Sequence, residues 1–149
     1  MSDTYTYLIN HFIFSTKNRE PLIPDALRPR LHAYIGGILR ENNCALHDAG
    51  GIEDHMHILA RRHPTVSEAE VMRLVKTNAS KWIHETFREM AAFAWQRGYA
   101  AFTVSFSGEN AVRTYIANQR QHHNGTTYID ELKEYLEKHE MPYDPRYLE

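Results

Sequence analysis

The chain has 149 residues, enough for one domain with a genuine core. Its 42% hydrophobic and 24% charged content is that of an ordinary globular protein, and no apolar run approaches the roughly 20 residues that span a bilayer. A single cysteine, Cys44, excludes a disulfide framework and a cysteine-based zinc cluster, and a net charge of −2 argues against a simple electrostatic nucleic-acid binder.

The start, Met1-Ser2-Asp3-Thr4, lacks the basic residues and apolar run of a signal peptide, which with the lone cysteine predicts a cytoplasmic location and no membrane partner. Charge is unevenly spread. Asp130 to Glu149 holds seven acids and three bases, a net of −4, which leaves the preceding body at +2. Nucleic acid would therefore be met locally, through groups such as Lys17, Arg19, Arg61, Arg62, Arg73, Lys76 and Lys81, although any one of these taken singly is usually a solvated surface charge.

Thr4 to Thr16 is dense in aromatic and β-branched residues and free of Gly and Pro, so it reads as a long strand, apolar on both faces and hence central. Leu27, Leu31, Tyr34, Ile35, Ile38 and Leu39 recur at helical spacing; Pro29 fits only a first turn, so this helix begins near Asp25 to Arg28 and ends near Glu41. Cys44 to Asp48 is a short strand, Ala49-Gly50-Gly51 a turn, and a second strand carries His55 and His57 in an antiparallel hairpin. Ser67 and Glu70 have capping-box spacing and open a helix with Val71, Leu74, Val75, Asn78, Trp82, Ile83 and Phe87 on one face. Tyr99 to Phe106 is the fourth strand. The order β-α-β-β-α-β predicts an α+β, ferredoxin-like antiparallel sheet with the first and third strands central, both helices on one face and the His pair on the other. Two further helices follow, one after an Asn110 N-cap and ending at Asn124-Gly125, the other from about Tyr128 to His139. One domain over 1–149 is expected: a core at 4–106, a helix at 110–123, and a C-terminal helix and tail at 127–149.

Two stretches carry chemistry. On a strand, His55 and His57 stand on one face while Met56 fills the other, so two imidazoles form half of a divalent-metal site. On the penultimate helix, Tyr115 and Gln119 are four apart and share a face. A tyrosine hydroxyl is a competent nucleophile, and a glutamine carbonyl coordinates a hard cation. From spacing alone, Tyr115 and Ile116 read more readily as core contacts. His63, His122 and His123 read as surface groups or helix-end partners rather than as ligands.

These residues match a known pattern. Asp54-His55-Met56-His57 and Tyr115-Ile116-Ala117-Asn118-Gln119, together with Phe14 to Arg19, Lys81-Trp82-Ile83, Trp95 to Tyr99 and Asn118 to His123, make the chain resemble the single-tyrosine HUH transposases of bacterial insertion sequences, where HUH means His-hydrophobe-His. The resemblance runs from about Tyr7 to Leu148 and preserves the order of motifs. It implies that Tyr115 attacks a phosphate of single-stranded DNA, forming a 5′-phosphotyrosine and freeing a 3′-hydroxyl that can later reverse the step. It implies Mg²⁺ or Mn²⁺ held by His55, His57 and Gln119, with Asp54 and Asn118 orienting these ligands and Lys17, Arg19, Arg61, Arg62 and Lys76 contacting DNA. It also implies recognition of hairpins at element ends, by a homodimer whose active sites combine one chain's tyrosine helix with its partner's His pair. Exchange of one phosphodiester for another needs no ATP, in keeping with the lack of a Gly-rich phosphate loop. Three other readings stand beside this one: another HUH nickase of the replication-initiator or relaxase type, a metal-dependent hydrolase, and a non-catalytic ferredoxin-like module stacking bases on Phe12, Phe14 or Phe102.

Overall fold

The computed structural model describes residues 3–148; Met1, Ser2 and Glu149, the ends of the N-terminal and tail segments discussed above, lie outside the described residues. The strands are β1 (Leu8–Ser15), β2 (Ala45–Gly51), β3 (His55–Arg62) and β4 (Ala100–Thr103). The helices are α1 (Arg28–Glu41), α2 (Glu68–Thr86), α3 (Glu109–Ala117), α4 (Gln119–His122) and α5 (Tyr128–Lys138). The strands form one sheet in the order β2-β3-β1-β4, with every neighbouring pair antiparallel, so β1 and β3 are central.

Alternation along β1 and β3 divides the sheet into two chemically different faces. Phe12 and Phe14 of β1 and Met56 and Ile58 of β3 point one way, into a core completed by Leu31, Ile35 and Leu39 of α1 and Val71, Val75 and Ile83 of α2. Each such fully buried side chain contributes roughly 1.5–3 kcal/mol. This burial removes Phe12 and Phe14, both 0% exposed, from any base-stacking role, and Phe102 at 5% is no better placed.

On the opposite face, Ile9, His11 and Ile13 of β1 stand beside His55, His57 and Leu59 of β3. Two small apolar clusters dock the C-terminal helices there. Ile9, Leu59 and Ile116 seat α3, and Ile13 and Phe102 with Tyr128, Leu132 and Leu136 seat α5. The two histidine-bearing strands run between these clusters, so a polar seam is enclosed by apolar contacts on both sides.

Local chemistry sets the boundaries. Ser67 caps α2 as its spacing predicts, its hydroxyl accepting from the Glu70 amide at 3.1 Å, and Thr127 caps α5 by accepting from the Asp130 amide at 3.2 Å. Pro29 lies in the first turn of α1. Four expectations are corrected. The first strand begins at Leu8 rather than Thr4, because its ladder with β3 starts at the Leu8–Arg62 pair. Gly50 and Gly51 belong to β2, paired with His57 and Met56, and the hairpin turns at Ile52 to Asp54. β4 has four residues, since Ser105 turns the chain into a short 3₁₀ segment by accepting from the Gly108 amide. Asn110 lies inside α3, whose N-cap position is Gly108, and the expected single helix at 110–123 breaks at Asn118 into α3 and α4.

Candidate active site and metal centre

The centre of the seam is His57, fully buried and held at both ring nitrogens. Its Nδ1 lies 2.8 Å from His11 Nε2, and its Nε2 lies 2.9 Å from Glu131 Oε1. His55, two residues earlier on the same face, has Nδ1 2.7 Å from Asp54 Oδ1, and its Nε2 points inward to Gln119 Oε1 at 3.1 Å and Glu131 Oε1 at 3.4 Å. An outer carboxylate fixing one imidazole nitrogen so that the other faces inward is the usual way a protein orients a metal-binding histidine. The first turn of α5 delivers Glu131, which is 1% exposed, and the end of α4 delivers His123, whose Nε2 lies 3.2 Å from Glu131 Oε1 and 3.1 Å from Gln119 Oε1.

Donor atoms of His55, His57, His123 and Glu131 all lie within 4.8 Å of one another. A buried carboxylate amid three imidazoles is a donor set suited to a divalent cation such as Mn²⁺ or Zn²⁺, and the residues therefore fit a metal.

Tyr115, on α3, closes the seam. Its ring lies 5.6 Å from His57 and 6.4 Å from His11, centroid to centroid. Its hydroxyl donates to Glu131 Oε2 and lies 3.2 Å from His122 Nε2. One carboxylate thus touches the imidazole cluster through one oxygen and the tyrosine through the other. A groove of about 250 Å³ between α3 and α5, lined by Tyr115, His122, Tyr135 and Lys138 among others, opens onto the phenol from solvent.

Electrostatics follow from this packing. Burial raises the Tyr115 phenol and the adjacent Glu131 charge raises it further, so the hydroxyl is firmly protonated. Burial alone would raise the Glu131 carboxyl, yet hydrogen bonds with His123, His55 and His57 outweigh it and keep the group ionised. Burial opposes charge on His55 too, but Asp54 and Glu131 overcome it and lift this imidazole to about 9. His57 is pulled down to about 4 and His11 to about 3, burial being the main cause in each.

The sequence-predicted residues are therefore partly gathered. His55, His57, Gln119, Tyr115 and Asp54 meet in one place. Asn118 does not join them: it is exposed, and its place is the break between α3 and α4. The predicted basic residues separate. Lys17 and Arg19 sit in the turn after β1, at the same end of the sheet as His55, where Lys17 is exposed and one Arg19 guanidinium nitrogen is buried with no hydrogen-bond partner. Arg61 and Arg62 end β3, about 20 Å further along at the rise of a strand. Arg62 donates to Asn10 Oδ1 and the Val66 carbonyl, and Arg61 donates to the Thr6 carbonyl and lies 4.8 Å over the Tyr7 ring. Lys76 is on α2, behind the sheet, donating to the Gln96 and Gly98 carbonyls, with burial lowering its ammonium to about 8. Sequence reasoning missed Glu131 and His11 and set His123 aside. The one signal for Glu131 and His123 was that they follow Tyr115 closely enough to fold back on it.

The sequence matches the family described as Transposase IS200 like over residues 4–119. The chain belongs to this family. Two solved structures of transposases share its fold. A candidate transposase from Deinococcus radiodurans R1 is 22% identical with a TM-score of 0.62, covering 80% of this chain and 96% of its own. A REP-associated tyrosine transposase bound to a REP hairpin is 15% identical with a TM-score of 0.60, covering 83% of this chain and 75% of its own. Among curated proteins there is no match. The chain is thus an α+β member of the IS200-like family, and among its described residues no helix is long and apolar enough to cross a membrane.

Proposed function

We propose that this IS200-like transposase cleaves and rejoins single-stranded DNA with Tyr115 as nucleophile. The observation that carries the reading is the convergence of Tyr115 with His55 and His57 in one enclosed seam, from elements 58 residues apart in sequence at Tyr115 and His57. In this reading the Tyr115 oxygen forms a bond to phosphorus while the bond from phosphorus to the 3′ oxygen breaks. The phenolic proton leaves Tyr115, and the 3′ oxygen gains one, giving a 5′-phosphotyrosine and a free 3′-hydroxyl. The 3′-hydroxyl of the same or another strand end then reverses the step.

His55 and His57 would hold a divalent ion, Mg²⁺ or Mn²⁺, with Gln119 contributing its amide oxygen. Bound there, the ion supplies Lewis-acid polarisation of the phosphate and neutralises charge in the transition state. Asp54 keeps His55 in the tautomer that presents Nε2. His122 and Lys138, lining the groove onto Tyr115, are placed to meet the phosphate as it enters. Because Tyr115 is protonated and half-buried, it is inert until a phosphate and a cation are both in place.

Hairpin-forming DNA is the substrate we assign, in keeping with the REP hairpin held by one structural neighbour. Lys17 and Arg19 are the best placed of the predicted DNA contacts, being at the His55 end of the sheet. The family resemblance implies a homodimer with sites completed in trans; in this chain Tyr115 already closes on its own His57, so a site built within one chain is the arrangement its geometry supports. The protein is read as a single domain working in the cytoplasm. Incubation with single-stranded oligonucleotides bearing a hairpin, with Mn²⁺, should give a covalent protein–DNA band on a denaturing gel, absent for Tyr115→Phe. Free product without a covalent band would favour a hydrolase, and binding without cleavage would favour a non-catalytic module.

A further inference from the structure

The tyrosine and the metal-binding histidines are not merely adjacent. A single carboxylate joins them. Glu131 Oε1 lies 2.9 Å from His57 Nε2, 3.2 Å from His123 Nε2 and 3.4 Å from His55 Nε2. Glu131 Oε2 accepts the Tyr115 hydroxyl and lies 3.3 Å from His122 Nε2. All of this takes place on a residue 1% exposed. An ionised carboxylate so deeply buried is retained only where charge or hydrogen bonds compensate it on both oxygens, and here each oxygen is compensated by a different half of the site.

The rest of α5 makes this placement rigid. Thr127 caps the helix one turn before Glu131, and Tyr128, Leu132 and Leu136 anchor it on Ile13 and Phe102. Asp130 and Glu134 on the same helix are exposed, so Glu131 is singled out by position and not by the acidity of the segment. The imidazole Nε2 atoms of His55, His57 and His123 all face Oε1, which places this oxygen where a cation drawing on those nitrogens would lie within reach of it. The phenol faces the other oxygen, with the solvent groove beyond it.

We propose that Glu131 is a protein ligand of the divalent ion through Oε1 and the positioning residue of Tyr115 through Oε2, so that loading the ion and aiming the nucleophile are one event. His123 Nε2 joins the same ligand set. The proposal rests on the tyrosine-nucleophile reading given above and deepens it. Glu131 would hold the ion with His55, His57 and His123 through Oε1, while Oε2, on the same rigid group, keeps the phenol it already accepts from aimed toward the groove from which a phosphate arrives. Without an ion the carboxylate is held by the imidazoles at Oε1 and by the Tyr115 hydroxyl at Oε2.

The test uses the full chain and Mn²⁺ alone as probe. Isothermal titration calorimetry of Glu131→Gln, which keeps the shape and loses the charge, should show Mn²⁺ affinity reduced by at least about tenfold, the scale on which metal sites respond to loss of a supporting carboxylate. Glu131→Asp, shorter by one methylene, should recover part of the affinity without recovering alignment. Single-turnover cleavage at saturating Mn²⁺ should stay at least about a hundredfold slow in Glu131→Gln, with hairpin binding unchanged, as a misplaced nucleophile requires. Tyr115→Phe should alter Mn²⁺ affinity by a few-fold through the shared carboxylate, which a purely structural Glu131 would not produce. Wild-type Mn²⁺ affinity in Glu131→Gln would overturn the ligand role. Full recovery of cleavage at saturating Mn²⁺ would overturn the positioning role, and cleavage faster than wild type would show a blocking group instead. Failure of the wild-type chain to form any adduct would count against the nucleophile reading alone, since the Mn²⁺ titrations stand without it.

Discussion

No side chain fits between Gly50 and Ile116. A Cβ built on Gly50 would lie 2.3 Å from the Ile116 carbonyl oxygen and 2.7 Å from its Cγ2. Gly50 pairs with His57 across the β2–β3 ladder, and Ile116 follows Tyr115, so this contact sets how close the tyrosine helix comes to the histidine strand. Gly50→Ala must push α3 outward. Overpacking of this kind costs about 1–3 kcal/mol, and a displacement of about 1 Å at a nucleophile costs on the order of a hundredfold in rate. The expected variant melts a few degrees lower and forms far less covalent adduct while still binding Mn²⁺. A Gly50→Ala protein with wild-type adduct yield would show that α3 has slack the structure does not display.

Metal affinity should climb with pH in a window set by His55. Its imidazole, lifted to about 9, carries a proton at neutral pH in the metal-free chain, and an ion at Nε2 must displace it. His57, at about 4, is already neutral in that range. Mn²⁺ affinity should therefore rise by about tenfold per pH unit from pH 7 toward 9 and then level off, with about one proton released per ion bound. Metal-free stability moves the opposite way. A folded-state value raised above the unfolded 6.5 gives stability that is complete below 6.5 and is lost as pH rises through 9, by at most about 1.4 kcal/mol per unit. Calorimetry in two buffers of different ionisation enthalpy, beside melting curves with and without Mn²⁺, measures both slopes; affinity flat from pH 7 to 9 would sink the assignment of His55 as a protonated ligand.

Glu109 anchors the start of α3 without touching the site. It accepts from the Tyr7 hydroxyl at 2.5 Å and from Arg113 Nη2 at 2.7 Å, and its Oε2 lies 2.9 Å from His47 Nδ1. The hydrogen bonds from Tyr7, Arg113 and His47 hold its carboxyl down to about 2. Glu109→Gln should cost about 1–2 kcal/mol at pH 7, within the range for hydrogen bonds to a charged group. Because the folded value lies below the unfolded one of about 4.3, this stabilisation is present above that value and disappears as pH falls toward 2. Urea titrations of the two proteins should accordingly converge between pH 4 and 2, and a gap that persists at pH 2 would refute the electrostatic account.

What the sequence revealed of this fold was what repeats along it. Alternation placed His55 and His57 on one sheet face and Met56 on the other, and the Ser67 cap and the Pro29 first turn marked helix starts that the structure shares. What escaped was set by tertiary contact. Gly50 and Gly51 look like a turn in sequence but lie in a strand, because α3 needs the missing Cβ at Gly50. The break at Asn118 is invisible to a 3.6-residue period, since Gln119 remains near Tyr115 on either side of it. Glu131 was the least legible. In an acidic C-terminal segment, between exposed Asp130 and Glu134, a single glutamate reads as solvated charge, and only the docking of α5 through Tyr128, Leu132 and Leu136 turns it inward. His123 was passed over for the same reason, as a helix-end group whose ring direction no periodicity specifies.

Assembly provides the last prediction. The family resemblance implies that the tyrosine of one chain completes the site of its partner, whereas here Tyr115 donates to Glu131 of its own chain and Glu131 lies 2.9 Å from its own His57 Nε2. An exchange of α3 between subunits would have to break the Tyr115–Glu131 contact, pull Ile116 from its packing with Ile9 and Leu59, and separate Ile116 from Gly50. Mixing His57→Ala with Tyr115→Phe, each inactive alone, separates the two arrangements. With sites built within one chain, every site in a mixed dimer carries one lesion and the mixture stays inactive. With shared sites, one site in each mixed dimer carries both lesions and the other is wild type, so cleavage returns. The single-chain geometry predicts an inactive mixture. Labelled subunits must show that exchange took place, and restored cleavage would then establish the swapped, two-fold arrangement in place of the closed one seen here.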